Sequence, residues 1–272
     1  MKTKKKIKKS NKIKNWVLSL EGIMSRLRGE GGCPWDREQT HETLKKYLIE
    51  EAYELVDAID DGDDRHIVEE LGDVLLQVVF HSQIAKERKR FDLQEVARIC
   101  CEKLMRRHPH VFGDKKISDA QGVIKQWDEI KKEEKSSLTR KSALDGVPRH
   151  LPALSQAEKI QKKASKIGFD WPEVDAVVSK IDEELEEVKE GLKKGNKDII
   201  REEIGDLLFA VVNLSRFQGE SAEELLRGTV KKFYLRFQFI EKELEKIGKR
   251  VEECTLEELD KIWQRSKAQK KI

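Results

Sequence analysis

Four acidic residues in the segment EEAYELVDAIDDGDDRHIVEELGD (50–73) are spaced so that they could share a cation. Counted outward from Gly62, Glu54 and Glu70 each lie eight residues away, and Glu51 and Asp73 each lie eleven away. In two antiparallel helices that turn at Gly62, equal distances from the turn mean equal heights along the pair. Glu51 with Glu54, and Glu70 with Asp73, are i, i+3 neighbours that share a helix face. If both pairs face one groove, four carboxylates converge, and Glu50, about 100° round the helix from Glu51, borders them. Converging carboxylates repel one another unless a cation compensates them. An all-oxygen set without His or Cys is a hard site, suited to Mg²⁺ or Mn²⁺. The plainer alternative, that each acid faces water or pairs with a nearby Lys, holds for any one of them. The metal reading rests on the four together. A di-iron bundle needs a Glu-x-x-His from each of two helices; only Glu38 and His41 have that spacing, and no histidine follows His150.

The same arrangement occurs twice. Residues 50–79 lie over residues 183–212 without a gap, so that Glu50, Glu51, Glu54, Gly62, Glu70, Gly72 and Asp73 recur as Glu183, Glu184, Glu187, Gly195, Glu203, Gly205 and Asp206, each offset by 133 residues. Charged helices share composition easily, but not a fixed spacing of this kind, so the chain is internally duplicated. The elements that must position the acids follow from periodicity. Leu44, Leu48, Ala52, Leu55 and Ile59, then Ile67, Leu71, Val74, Leu75, Val78 and Val79, recur at three- and four-residue intervals and predict helices over 40–59 and 65–87. Between them DDGDD offers a glycine for a helix C-cap and aspartates for an N-cap.

More loosely, CPWD (33–36) precedes the first unit and FDWP (169–172) the second. SALDGVPRHLPAL, with Pro148 and Pro152 and no helical period, reads as a linker. The expected organisation is a basic disordered tail (1–14), an N-terminal helical domain (15–135), a linker (136–152) and a C-terminal helical domain (153–272). The fold class is all-α.

Composition agrees with long charged helices: 39% of the 272 residues are charged and 6% aromatic. The net charge of +3 hides an asymmetry, because residues 1–14 hold eight Lys and no acid. Without those eight, 47 of the 55 basic residues face 52 acidic ones, a net of −5. The tail has no apolar stretch of signal-peptide type. A lysine run attracts phosphate without reading sequence, so a solubilising or weakly anion-binding arm is expected and specific nucleic-acid binding is not. Cys33, Cys100, Cys101 and Cys254 form no C-x-x-C pair, which fits a reducing, cytoplasmic setting. No apolar run approaches the roughly 18 residues of a membrane span.

There is no G-x-x-x-x-G-K-[ST] and no G-x-G-x-x-G, so neither a P-loop nor a Rossmann nucleotide site is supported. Lys232 and Arg236, and in the first copy Lys103 and Arg107, present two cations at i, i+4 that could meet phosphate oxygens. Trp263 and Trp127, each followed four residues on by a Lys, could stack on a base. Equally, basic residues commonly decorate helix surfaces and a Trp commonly belongs to a core.

EEAYE with EELGD, and EELEE with EEIGD, resemble the E-E-x-x-E…E-x-x-D motif of the all-α nucleoside triphosphate pyrophosphohydrolases. GGCPWDREQTHETL, RRHPHVFGD, SALDGVPRHLPAL and GFDWP look like the two-domain MazG proteins in particular, and the resemblance covers nearly everything after the lysine tail. It implies two tandem MazG-like helical bundles, each built around the acidic hairpin, that work as a homodimer and use Mg²⁺ to hydrolyse nucleoside triphosphates to monophosphate and pyrophosphate. By matching position, the implied metal-site acids are Glu50, Glu51, Glu54, Glu70 and Asp73, then Glu183, Glu184, Glu187, Glu203 and Asp206. The resemblance places triphosphate hydrolysis in the C-terminal copy, with substrate contacts at Lys232, Arg236 and Trp263. Where such proteins read like KANEKFERRF, this chain has GTVKKFYLRF, with Val230 for the Asn and Leu235 for an Arg, while Lys232 and Arg236 are kept.

The expected reaction is attack of water on the α-phosphorus, the water losing its proton to the metal site or to a peripheral carboxylate such as Glu183, with Glu184 the other acid closest to the chemistry. The rival reading is a helical module that senses a nucleotide or docks a partner with little turnover, for which the N-terminal copy is the stronger candidate.

Overall fold

The computed structural model describes residues 15–136 and 142–268, and among them every regular element is a helix. The expected disordered tail lies outside the described residues, as does the 137–141 part of the expected linker. The chain divides into two compact units, 1–134 and 135–272.

In the first unit, α1 (Trp16–Arg28), α2 (Pro34–Glu38), α3 (His41–Asp61), α4 (Asp64–Glu87), α5 (Leu93–Arg107), α6 (Pro109–Phe112) and the start of α7 (Ala120–Ser136) follow in order. Helices α3 and α4 are the hairpin read from periodicity, each a little longer than expected. Thr40 opens α3, its hydroxyl accepting from Thr43 N while Thr43 Oγ1 accepts from Thr40 N. Gly62 closes the helix at φ 69°, its N–H donating to Ala58 O and Ile59 O, a left-handed conformation that a residue with a Cβ adopts only with strain. Asp63 then caps α4 through Arg65 N. Helix α1 packs across α4, and the core joins Met24, Leu44, Val79, Phe80, Ile84 and Leu93.

The second unit repeats this plan. Helix α8 (Ala153–Ser165) packs across α10, and α9 (Val174–Lys194) with α10 (Lys197–Phe217) forms the second hairpin, turning at Gly195 with φ 65°. Asn196 caps α10 by accepting from Asp198 N and Ile199 N. Helix α11 (Ala222–Glu245) packs on α8, α10 and α12 (Leu256–Ala268), with a 3-10 turn (Val251–Glu253) between α11 and α12. Ile240, Leu244 and Ile262 form a core cluster there, with Phe239 and Trp263 against it.

The apolar stripe of the first hairpin is only partly a core face. Leu44, Ala58 and Val79 are buried, whereas Leu48, Ile59, Leu71, Leu75 and Val78 stay exposed. Helix α11 likewise leaves Leu226, Val230, Phe233 and Tyr234 uncovered. The period of the stripe set the helices; the helices that pack against each hairpin cover only part of it.

Candidate active site

Each hairpin brings carboxylates together, with a different selection in each copy. In the C-terminal copy, carboxylate oxygens of Glu184 and Glu187 on α9 and of Glu203 on α10 lie within 4.8 Å of one another. In the N-terminal copy the group is Glu51 on α3 with Glu70 and Asp73 on α4, again within 4.8 Å. Both groups share one equivalent pair, Glu51 with Glu70 and Glu184 with Glu203. Glu54 sits outside the tight group of its own copy but adds to the field on Glu51, whose carboxyl is pushed up by burial and then by Asp73, Glu54, Glu70 and Glu50. Asp206, the remaining acid of the other copy, lines a cavity of about 290 Å³ together with Glu184 and Lys180.

The electrostatics of both grooves are set by crowded carboxylates. Burial, followed by Glu187, Glu184 and Glu202, pushes the Glu203 carboxyl above its ordinary range. Glu70 is buried; Oε1 lies 3.1 Å from His66 Nε2, while Oε2 is buried without a hydrogen-bond partner. Buried acceptors of this kind are costly unless something donates or coordinates. In the C-terminal copy one side chain partly fills that role. Lys180 Nζ lies 2.7 Å from Glu184 and 2.8 Å from Glu183, and these two carboxylates hold the Lys180 ammonium well above the usual lysine range. Glu184 is buried, whereas Glu183 is exposed at the rim, as Glu50 is in the first copy. Lys180 was not singled out from the sequence, although its i, i+4 spacing to Glu184 is a readable signal. In the first copy the corresponding residue is Tyr47.

The basic and aromatic candidates are placed as follows. Arg236 carries its guanidinium 5.6 Å over the Trp263 ring, and Trp263 packs 5.2 Å from Phe233 at the edge of the α11–α12 core cluster. The i, i+4 pairing of Lys232 with Arg236 is kept along α11, with Lys232 exposed and Arg236 Nε buried without a partner. In the first copy Arg107 is engaged by Glu134 at 2.6 Å, alongside Arg106, and Lys103 lies one turn before it on α5. Trp127 lies edge-on to His108 at 5.0 Å and has Lys131 over its face at 5.6 Å. Thus Arg236 and Trp263 meet, as do Arg107 and Glu134, and three of the four predicted hairpin acids meet within each copy, without Glu54 in the first and without Asp206 in the second.

Beside the second acidic groove the structure adds residues that spacing alone does not reveal. Phe169, Trp171, Phe209 and Asn213 line the cavity that also holds Lys180, Glu184 and Asp206. Phe169 and Trp171 belong to FDWP, the counterpart of CPWD, but nothing in the motif says that they face the acids.

The family model of the MazG nucleotide pyrophosphohydrolase domain matches twice, over residues 39–112 and 173–238, and so covers both hairpins. The chain is similar to a Thermotoga maritima protein named nucleoside triphosphate pyrophosphohydrolase/pyrophosphatase MazG, 50% identical over 91% of this chain and 94% of that one. It is also similar to an Escherichia coli nucleoside triphosphate pyrophosphohydrolase, 43% identical over 94% of this chain and 98% of that one. A Bacillus subtilis protein, the uncharacterized YabN, is 43% identical over 96% of this chain, which spans 53% of YabN. Two all-helical units, each with its own carboxylate hairpin and each matched by the family model, make this chain a member of the MazG family.

Proposed function

We propose that the chain hydrolyses nucleoside triphosphates to nucleoside monophosphate and pyrophosphate, and that the C-terminal unit carries the reaction with Mg²⁺, or Mn²⁺ in its place. The observation that carries this reading is the convergence of Glu184, Glu187 and Glu203 beside a cavity lined by Asp206 and Lys180, in a chain of this family. The donor set fits a hard divalent cation. It is all oxygen, burial and then the neighbouring carboxylates push Glu203 up, and the equivalent groove in the first copy leaves a buried Glu70 oxygen without a partner. Glu184, Glu187, Glu203 and Asp206 would hold the metal, and Glu51, Glu54, Glu70 and Asp73, bordered by Glu50, would hold one in the N-terminal copy. When bound, such a cation neutralises triphosphate oxygens and makes a nearby water more acidic.

The residues of this chain then do the following. Glu183, exposed at the rim, takes the proton of the water that attacks the α-phosphorus. Glu184, through Lys180, fixes that rim. As the bond to the bridging oxygen breaks, pyrophosphate leaves with its charge offset by Lys232 and Arg236, and Trp263 supports Arg236 from below. Positioning and charge neutralisation are what phosphoryl chemistry demands of a protein. The uncovered apolar face of α11, with Leu226, Val230, Phe233 and Tyr234, supports assembly as a homodimer. Cys100 and Cys101, free thiols exposed on α5, support a reducing, cytoplasmic setting. No described helix is long and apolar enough to cross a membrane. The working domain bounds are 15–135 and 153–272, joined by 136–152.

A second reading applies to the N-terminal copy: a nucleotide-sensing or partner-binding module with little turnover. The engagement of Arg107 by Glu134 favours it, because that arginine is already satisfied in the absence of phosphate.

Product analysis tests the main reading. The purified chain with Mg²⁺ and a nucleoside triphosphate should release monophosphate and pyrophosphate, and release of diphosphate and orthophosphate refutes it. Glu184→Gln should lose most of the turnover; full activity in that variant moves the chemistry out of the C-terminal copy.

A further inference from the structure

A second cavity, of about 410 Å³, opens from the one beside the C-terminal carboxylates, and the two share Phe169, Trp171, Phe209 and Asn213 as walls. Its far side is formed by Gln161 on α8 and by Leu144, from the segment preceding that helix. Two amides line it beside the aromatic walls, as does the Asp170 carboxylate, which Arg216 engages. Gln161 is 7% exposed and donates Nε2–H to the Phe209 carbonyl at 2.8 Å; a carbonyl can only accept, so this bond fixes the amide orientation. Its Oε1 is left buried without a partner. Asn213 is 9% exposed and accepts from Arg216 Nε at 2.8 Å through Oδ1; an arginine can only donate, so Nδ2 remains as the donor.

The first copy shows what this space becomes when it is filled. At the 133-residue offset Asn213 corresponds to Phe80 and Lys180 to Tyr47. Phe80 is buried in the core, with Arg28 stacked on its face at 5.4 Å and Trp35 edge-on at 6.4 Å, and Trp35 meets Tyr47 at 5.9 Å. The buried residue of α1 is Met24, packed in that core, and the buried residue of α8 is Gln161. The duplicated scaffold therefore carries Met and Phe in a closed core on one side, and Gln and Asn in an open aromatic-walled cavity on the other. Amides that replace core hydrophobes, with one acceptor left unsatisfied, are costly to the fold unless a ligand completes them.

We propose that this cavity is a nucleobase site of the C-terminal unit. The aromatic walls Phe169, Trp171 and Phe209 take the ring, and Gln161 Oε1 and Asn213 Nδ2 read one donor and one acceptor on its edge. The phosphates then extend along the shared wall toward Lys180 and the carboxylates. The corresponding space of the N-terminal copy is filled by Phe80, so that copy takes no base in this manner. The inference rests on the nucleoside triphosphate reading above, but it moves base recognition away from Trp263.

The experiment compares each nucleoside triphosphate (ATP, GTP, CTP, UTP) with ribose 5-triphosphate, which keeps the reacting phosphates and lacks the base. Calorimetry of nucleoside monophosphates against ribose 5-phosphate runs alongside it. In the wild-type chain the ratio of kcat/KM for the preferred nucleotide to that for ribose 5-triphosphate should be large. Asn213→Phe, which places the first copy's residue in the cavity, and Trp171→Ala, which removes a partly exposed wall, should each lower that ratio at least tenfold, mainly through KM. Gln161→Met should flatten the preference among the four bases. Unchanged ratios in the folded variants, or a ratio that falls only with Trp263→Ala, overturn the base site and leave the hydrolase reading standing. Absence of turnover with base-dependent monophosphate binding that Asn213→Phe abolishes overturns the hydrolase reading and supports the site. If binding in the wild type is no tighter for monophosphates than for ribose 5-phosphate, the base site is refuted whatever the turnover.

Discussion

Removing a carboxylate from the first acidic groove should make the metal-free protein more stable, not less. Oxygens of Glu51, Glu70 and Asp73 lie within 4.8 Å of one another. Two unit charges at that distance repel by about 0.9 kcal/mol even at the dielectric constant of water. Neutralising Glu51 removes two such pairs, about 1.7 kcal/mol, which screening at physiological salt reduces to about 1 kcal/mol. Glu51→Gln keeps the shape of the side chain, so that gain should raise the melting temperature of the N-terminal unit by about 4 °C in EDTA at neutral pH. The sign of the pH dependence follows from the upward shift of Glu51, caused first by burial and then by Asp73, Glu54, Glu70 and Glu50. Between the ordinary carboxylate value near 4.5 and its raised folded value, the folded state holds more protons than the unfolded one, so wild-type stability falls as pH rises through that window. The advantage of the Gln variant should therefore be absent near pH 4, full above the raised value, and smaller in 1 M salt. Added Mg²⁺ should reverse the order, because a ligand that binds only the folded state at 100 times its Kd stabilises by about 2.7 kcal/mol, and the variant has lost a ligand. Scanning calorimetry in EDTA and across a MgCl₂ titration reads both effects. If Glu51→Gln melts below wild type in EDTA, Glu51 is a structural partner and the account of the groove as a cation site fails.

Glu134 should behave in the opposite way. Arg107 and then Arg106 hold its carboxyl down at about 2, so its contribution is present above the ordinary carboxylate range and is lost as pH falls toward 2; the difference in melting temperature between wild type and Glu134→Gln should shrink over that window. Phe80→Ala empties a site that is 3% exposed and should cost the N-terminal unit about 3–5 kcal/mol in urea unfolding; a loss under 1 kcal/mol would mean that the space filled by Phe80 is not core. Phe233→Glu, on the uncovered face of α11, should convert a dimer to a monomer in light scattering, and an unchanged mass would remove that face from the interface.

The hairpins were legible because their information is local. Period, cap and turn all lie within the hairpin itself, and a gap-free repeat at 133 fixes which acids share a height. Even so, matched height about Gly62 and Gly195 does not decide which three acids close up. The copies differ there at Lys180, which pairs with both Glu183 and Glu184 in one copy where Tyr47 stands in the other. Trp263 could be read either as core or as a stacking platform; in the structure it packs on the α11–α12 cluster with Arg236 over its ring.

The larger cavity was not legible for a deeper reason. It depends on which residue of a crossing helix meets the middle of α10, and α1 matches α8 at an offset of 137 rather than the 133 of the hairpins, so the hairpin repeat alone does not pair Met24 with Gln161. In the motif both copies look equally equipped, because every carboxylate recurs. They differ at Phe80, a core residue, against Asn213 and at Tyr47 against Lys180. A duplicated metal-site motif can persist through its own mutual constraints, while the wall behind it is free to become packing in one copy and hydrogen-bonding surface in the other. Division of labour between the units should therefore be sought in the residues behind the acids rather than in the acids themselves, and exchanging Phe80 and Asn213 between the copies is the substitution that puts this to the test.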